Sequence, residues 1–392
     1  MTHYKYLIIG GGQTADAAVQ GIRSVDSSGT IGLISGENHP PYRRPPLSKG
    51  LWKDDPLDSV WLSDAKQHAT MHVHATVTSI AADSKQVVDD QGDKYEYDKL
   101  LLATGGSVRT LPYDVEGIIY FRTLDDYHLL KQRATKGSSV VVIGGGFIGS
   151  EIAAALAMND IKVSLIFPQD SIGSRIYPVR LSKFLNEYFE SKGVQVLAKE
   201  TVTALSRRNE KYHVTTSKGT EVDADVVVAG IGIQPNVDLA RAAGLKVDEG
   251  IFVNENLQTS NPDIYAAGDV ANFFNPSLDR RLRVEHEDNA TKMGECAGKN
   301  MAGKKTPYHY LPFFYSDLFD LGYEAVGELD SGMEIAEDWK NQFTEGVVYY
   351  LRDKHVRGVL LWNTWGQVDN ARKLIAEKTT VTSDTAPGLL PR

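Results

Sequence analysis

Cysteine is nearly absent: Cys296 is the one thiol in 392 residues, so the chain can form no internal disulfide, structural or catalytic. A relay of electrons through a cysteine pair is thereby excluded. No run approaches the roughly eighteen apolar residues of a membrane-spanning helix, so no integral membrane segment is expected. The first strand-like run, Tyr4 to Ile9, begins too near Met1 for a signal peptide, which predicts a cytoplasmic chain. Low-complexity tracts and long blocks of like charge are missing, and the chain is expected to fold almost throughout. A net charge of −9 argues against a nucleic-acid partner, since gripping phosphate backbones needs clustered Lys and Arg. His72 and His74 alternate along a predicted strand, but no set of His, Cys and acids has ligand spacing, so no metal is expected. A nucleophile elbow and a phosphate-loop lysine are absent too.

What is present begins with two glycine turns. Lys5 to Ile9 reads as a strand, Gly10-Gly11-Gly12-Gln13-Thr14-Ala15 as a tight turn and Ala15 to Ile22 as a helix. A second strand, Ile31 to Ile34, completes a βαβ unit with Glu37 just past its tip. The pattern restarts at domain scale, with strand Ser139 to Ile143, turn Gly144-Gly145-Gly146-Phe147-Ile148-Gly149, helix Ser150 to Met158 and strand Lys162 to Phe167. In each turn the first glycine (Gly10, Gly144) permits the bend and the second (Gly12, Gly146) lets the backbone approach a pyrophosphate. The third small residue (Ala15, Gly149) lets helix and strand pack closely. One such match is weak evidence, and ordinary βα turns are the plainer alternative; two in strand-turn-helix context point to two dinucleotides.

Glu37 is placed to accept hydrogen bonds from an adenosine ribose, which suits the AMP half of FAD; a solvated loop carboxylate is the bland alternative. The second unit ends Leu165-Ile166-Phe167-Pro168-Gln169-Asp170, without an acid at the expected tip. Asp170 suits a ribose one residue later, and Arg175 equally suits a 2′-phosphate, so NADH and NADPH both stay open.

Between and after these turns lie a proline-stiffened loop, Pro40 to Lys49, a small antiparallel sheet within His72 to Tyr97, and a buried strand Lys99 to Ala103 ending at Thr104-Gly105-Gly106. After Pro235 the chain is expected to return to the first domain, with strand Ile264 to Ala266, Ala267-Gly268-Asp269 and a helix from about Glu287 to Met301. Aromatic-rich strands follow from Tyr308, including Val347 to Leu351 and Val356 to Trp362, then a helix near Gln367 to Glu377. The predicted class is α/β: two Rossmann-like three-layer dinucleotide-binding domains and a C-terminal α+β domain. The expected boundaries are 1–112 with 245–305 for a discontinuous FAD domain, 113–244 for an inserted NAD(P) domain, 306–380 for the C-terminal domain and 381–392 for a flexible tail.

The Arg43 to Lys49 loop, both glycine turns, Ala103-Thr104-Gly105-Gly106 and Ala267-Gly268-Asp269 together resemble the FAD-dependent ferredoxin reductases and apoptosis-inducing factor. Val284-Glu285-His286, Phe314-Tyr315-Ser316-Asp317-Leu318, Gly322-Tyr323-Glu324-Ala325-Val326-Gly327, Tyr350-Leu351-Arg352-Asp353-Lys354 and Gly358-Val359-Leu360-Leu361-Trp362-Asn363 tilt the likeness toward the latter. It spans Tyr6 to about Lys373 and departs at Gln169, where the family has an acid, and in a short C-terminal domain. The resemblance implies catalytic roles for Lys49, Glu151 and His286, with Lys49 and Glu151 paired near the flavin N5. It implies FAD contacts from Gly10, Gly12, Ala15, Glu37, Arg44, Lys49, Val77, Thr104, Gly105, Arg109, Gly268, Asp269, Glu285, His286 and Trp362. Contacts to NAD(P) are implied for Gly144, Gly146, Phe147, Ile148, Gly149, Glu151, Asp170, Arg175 and Gly232. Trp52 is a further aromatic candidate beside the flavin. For the Lys49–Glu151 pair the bland alternative is a surface lysine and a helix-start glutamate; for Phe147, Trp52 and Trp362 it is core packing.

The implied activity is transfer of hydride from NAD(P)H to flavin N5 and of electrons onward to a small iron-sulfur protein, a quinone or oxygen. Two alternatives are a redox-gated interaction protein with a long-lived reduced flavin–NAD+ complex and altered homodimer contacts, and a quinone-reducing NADH dehydrogenase. The last needs an amphipathic anchor, which Thr379 to Arg392 does not resemble.

Overall fold

The computed structural model describes residues 1–390. They form two units, one of Met1–Arg43, Asp58–Ser107 and Gln234–Phe313, the other of Arg44–Leu57, Val108–Ile233 and the described residues from Phe314 onward. The expected α/β architecture is present, with a parallel sheet in the second unit, a sheet whose core strands are parallel in the first, and a β-rich C-terminal segment.

In the first unit, parallel strands run in the order Thr70–His72, Ile31–Ile34, Thr2–Ile9, Lys94–Leu102 and Ile264–Ala266. Leu7 and Ile8 are wholly buried, as the unbroken apolar run requires of a strand covered on both faces. Lys94–Leu102 explains the chain's late return. Its first residues pair antiparallel with Gln86–Asp89, and its last three are left for Ile264–Ala266 to complete the parallel edge. Helix Gln13–Arg23 covers the sheet with Ala15, Ala18, Val19 and Ile22.

In the second unit the parallel order is Gln195–Ala198, Lys162–Phe167, Ser139–Ile143, Val226–Ala229, Ile119–Tyr120. The helix that leaves its glycine turn spans Phe147–Met158, so it begins inside the turn rather than at Ser150 as expected; Gly146 is its N-cap. The C-terminal sheet runs Phe313–Leu318, Leu321–Gly327, His355–Trp362, Glu345–Arg352, Glu334–Asn341, backed by helix Val368–Ala376. Aromatic contacts join this sheet to helix Val179–Ser191: Phe184 meets Phe343 at 5.3 Å, and Phe189 meets Phe319 at 5.0 Å.

The segment expected to be a flexible tail is tied down over 381–390. Val381 N–H donates to Lys354 O at 2.8 Å, Gly388 N–H to an Asp338 carboxylate oxygen at 2.8 Å, and Val381, Ala386 and Leu390 are buried. Three apolar side chains among polar ones are enough to hold it, a pattern that composition alone hides. Residues 391–392 of that expectation lie outside the described residues. Among the described residues no helix is long and apolar enough to cross a membrane.

Asp225 shows how the second sheet is fastened. One carboxylate oxygen accepts from the N–H and Oγ of Ser139, both at 2.9 Å, and the other meets Lys211 at 2.9 Å. Bonds from the Ser139 backbone, then from Lys211, hold this carboxyl down at about 2. A depressed acid stabilises the fold above its unfolded pKa and ceases to as pH falls through the folded value. Asp225→Asn is therefore expected to cost about 1 kcal/mol at neutral pH, since the carboxylate is partly exposed. The deficit should shrink as pH falls from about 4 to 2. Denaturant melts across that window check it, and a deficit independent of pH contradicts it.

Candidate functional site

In the first unit the expected residues gather where parallel strands end, with Ile9, Ile34, Leu102 and Ala266 in register along one crest. That crest is where open α/β sheets bind ligands. Gly10 follows the first strand and Gly12 caps helix Gln13–Arg23 with no side-chain hydrogen bond. A Cβ built on Gly12 meets nothing within 4 Å, so the backbone N–H groups at this helix start face open space, as a bound pyrophosphate requires. Ala15 is fully buried behind it.

Glu37 stands past the second strand, its carboxylate taking the Tyr42 hydroxyl at 2.5 Å and its N–H donating to Ser35 Oγ at 3.2 Å. Thr104 and Gly105 are stapled to Asn236: Thr104 Oγ1 donates to Asn236 O at 3.0 Å, and Asn236 N–H to Gly105 O at 3.0 Å. Gly268 and Asp269 form a short turn after Ile264–Ala266, and Arg283 donates to Asp269 O at 3.0 Å while pairing with Glu285 at 2.6 Å. His286 is the N-cap of helix Glu287–Met301. Val77 is half-buried at the start of Val77–Ala81, a strand of the antiparallel layer rather than of the crest.

The second unit repeats the cradle. Gly146 caps Phe147–Met158 without a side-chain bond, and a Cβ there also meets nothing within 4 Å. Gly144 ends the strand, and at Gly149 a Cβ would stand 1.8 Å from Gly144 O, so only glycine lets this helix start lie on the turn. Phe147 and Ile148 are 36% and 39% exposed, and Phe147 meets Phe314 edge-on at 5.3 Å. Asp170, exposed past the strand tip, pairs with Lys199 at 3.2 Å, while Arg175 is exposed on the next loop. Gly232 O accepts the Arg109 N–H at 2.9 Å, and Arg109 itself is exposed. Arg44 donates to Arg122 O at 2.9 Å. Arg44, Lys49, Arg109 and Trp362 all belong to this unit, and His286 belongs to the first.

Lys49 and Glu151 do form a pair. Their charged atoms are 2.8 Å apart, with side chains 10% and 3% exposed. Glu151 sits in the second turn of its helix and also accepts Ser48 Oγ and Ser316 Oγ, each at 2.6 Å, one on either oxygen. Three donors on one buried carboxylate offset much of its desolvation. The Lys49 ammonium lies 5.2 Å from the centre of the Tyr315 ring. Ser316 continues to Tyr323, whose hydroxyl is 2.9 Å from that of Tyr177; burial holds both phenols well above the ordinary tyrosine range. Ser48 and Ser316 escaped the sequence reading. The signal was adjacency: Ser48 precedes Lys49, and Ser316 lies inside a quoted aromatic segment.

Two aromatic assignments are corrected. Trp362 has no exposed surface; it stacks on Tyr323 at 5.5 Å, meets Tyr177 at 5.6 Å and donates its indole N–H to Phe343 O at 2.8 Å. With protein on every side it has no face left for a flavin. Trp52 is likewise buried and donates to Leu47 O at 2.8 Å. Cys296 is buried, and burial pushes its thiol up to about 11. Among the described residues no group of three or more His, Cys, Asp and Glu could hold a metal.

The family model described as pyridine nucleotide-disulphide oxidoreductase matches residues 4–294, taking in both glycine cradles. The chain belongs to that family. It is an NAD(P)H-dependent flavoprotein reductase. The model for the C-terminal region of mitochondrion-associated apoptosis-inducing factor matches 297–339 and 333–377. The chain is 37% identical to apoptosis-inducing factor 1 of Dictyostelium discoideum, covering 96% of this chain and 79% of that protein. It is 31% identical to putidaredoxin reductase of Pseudomonas putida, covering 96% and 92%. Its structure is similar to that of the covalent putidaredoxin reductase–putidaredoxin complex, with a TM-score of 0.92 at 30% identity over 100% of this chain and 97% of the other.

The two glycines of the second cradle should fail differently. Gly146→Val is expected to melt like the parent in the absence of nucleotide but to lose protection by added nucleotide, because its side chain takes the space of a pyrophosphate. Gly149→Ala is expected to lower stability by about 1–3 kcal/mol with or without ligand, through the clash with Gly144 O. Thermal melts with and without NAD+ separate them; equal intrinsic stability of the two variants contradicts the assignment.

Proposed function

We propose that this chain holds FAD on the first glycine fold, takes hydride from NADH on the second, and delivers electrons to a small iron-sulfur protein of ferredoxin type. The observation that carries this is the pair of helix starts, at Gly12 and Gly146, that have no side-chain cap and open space where a Cβ would stand. Similarity over nearly the full length to putidaredoxin reductase supports the acceptor class. A single cysteine leaves no dithiol for electrons to pass through, so the acceptor has to draw on the flavin directly.

When bound, the flavin would supply an acceptor for one hydride and a donor of its two electrons one at a time. The chain's own residues do the rest. N–H groups at the Gly12 helix start would hold the FAD pyrophosphate, and Glu37, oriented by Tyr42, would accept from the adenosine ribose hydroxyls. Asp269 would accept from the ribityl hydroxyls, and its main chain is fixed by Arg283. Glu151, gripped by Ser48 and Ser316, keeps the Lys49 ammonium in one place, where its Nζ would be available as a proton donor. Phe147 uses its exposed face to cover the nicotinamide side and exclude water. The matching domain assignment is FAD on 1–112 with 245–305 and the nicotinamide nucleotide on 113–244.

A second reading is favoured by the 37% identity to an apoptosis-inducing factor and the match to that family's C-terminal region. In it, slow reduction leaves a persistent reduced complex whose altered homodimer contacts are the output. Anaerobic titration with NADH separates the two. Rapid bleaching followed by fast transfer to an added ferredoxin supports the reductase. A lasting charge-transfer band with changed sedimentation supports the second reading, and protein that stays colourless when supplied with FAD overturns both.

Glu151→Ala is expected to retain FAD but to slow flavin reduction by roughly tenfold or more in stopped-flow traces. Reduction at the parent rate removes Lys49 and Glu151 from the mechanism.

A further inference from the structure

The crest of the second nucleotide fold ends in Phe167-Pro168-Gln169-Asp170. An acid at this tip is what normally accepts the ribose 2′-hydroxyl of NADH and repels a 2′-phosphate. Gln169 is neutral. The neighbouring strand Gln195–Ala198 lies in parallel register with Phe167 opposite Ala198, so the next residue, Lys199, comes off the sheet at the same crest. Lys199 N–H donates to Gln169 O at 2.9 Å, tying the two strand ends together. Its ammonium pairs with Asp170 at 3.2 Å.

That pair is weakly held. The Lys199 and Asp170 side chains are 58% and 69% exposed, and ion pairs so placed contribute about 0–1 kcal/mol. The ammonium can exchange the carboxylate for a phosphate oxygen at little cost, and a charge-assisted bond to a dianion is the stronger of the two. The surrounding charge favours the exchange. Lys218 donates to Ala198 O at 3.0 Å and lies 3.6 Å from the buried Glu200, and Arg175 is exposed on the loop whose main chain Ser331 holds at 3.0 Å. Two lysines, Lys199 and Lys218, thus stand with Asp170 and Glu200 at this end of the sheet, and the exposed Arg175 lies five residues past Asp170.

We propose that the second fold accepts the 2′-phosphate of NADPH as well as the free ribose of NADH, and that Lys199 is the specificity residue. The proposal rests on the reading of that fold as the nicotinamide-nucleotide site.

Calorimetric titration of the FAD-loaded protein with 5′-AMP and 2′,5′-ADP, which differ by one 2′-phosphate, tests it without turnover. The parent is expected to bind 2′,5′-ADP at least as tightly as 5′-AMP, with an affinity that falls as salt rises. Lys199→Ala is expected to weaken 2′,5′-ADP by about tenfold and leave 5′-AMP unchanged. Gln169→Glu is expected to act in the same direction, and the NADPH-to-NADH ratio of kcat/KM should follow in both variants. If the parent binds 2′,5′-ADP about tenfold more weakly than 5′-AMP, or if Lys199→Ala weakens both probes alike, the proposal fails. If neither probe binds while NADH still bleaches the flavin, the proposal alone fails. If NADH does not bleach it either, the functional reading beneath it fails as well.

Discussion

One buried carboxylate gathers the second unit. Glu151 comes from the helix that leaves the second glycine turn, Ser48 and Lys49 from the proline-stiffened loop, and Ser316 from the first strand of the C-terminal sheet. Pieces far apart in sequence are thus obliged to meet, because a buried charge without its partners costs several kcal/mol. The C-terminal sheet is bound in further through Ser316, Tyr323 and Tyr177, so the side chains proposed to serve the chemistry also close the core.

The two glycine cradles divide their labour in a way the spacing motif conceals. Gly12 and Gly146 face open space, which leaves room for the proposed ligands, whereas Gly149 answers to the protein's own backbone. The glycines look equivalent in the motif, yet only some of them are about binding. The ends of the two crests also differ, with a carboxylate oriented by a tyrosine on the first and a neutral amide beside an exposed ion pair on the second.

Much of the fold was legible because period and punctuation agree. Apolar runs that end in glycine turns read as parallel strands, and Lys99 to Ala103 and Ile264 to Ala266 were seen as strands although their pairing was invisible. The Lys49–Glu151 pair was reached through a resemblance, since neither residue announces burial on its own. Ser48 and Ser316 were missed because a serine's meaning lies in what it faces. Trp362 was misread for the converse reason: an aromatic in a motif invites a ligand, and only packing reveals that Tyr323 and Tyr177 already occupy its faces. The closing segment was misread through composition, where small and polar residues outnumber the three apolar ones that hold it.

Cys296 lies among buried groups with its thiol pushed far from the thiolate form at neutral pH. The native protein is therefore nearly blank to alkylating and thiol-exchange reagents. A reporter cysteine introduced at any exposed position would be the one reactive sulfur in the molecule. Labels for distance or mobility measurements could then be attached without first engineering a cysteine-free parent.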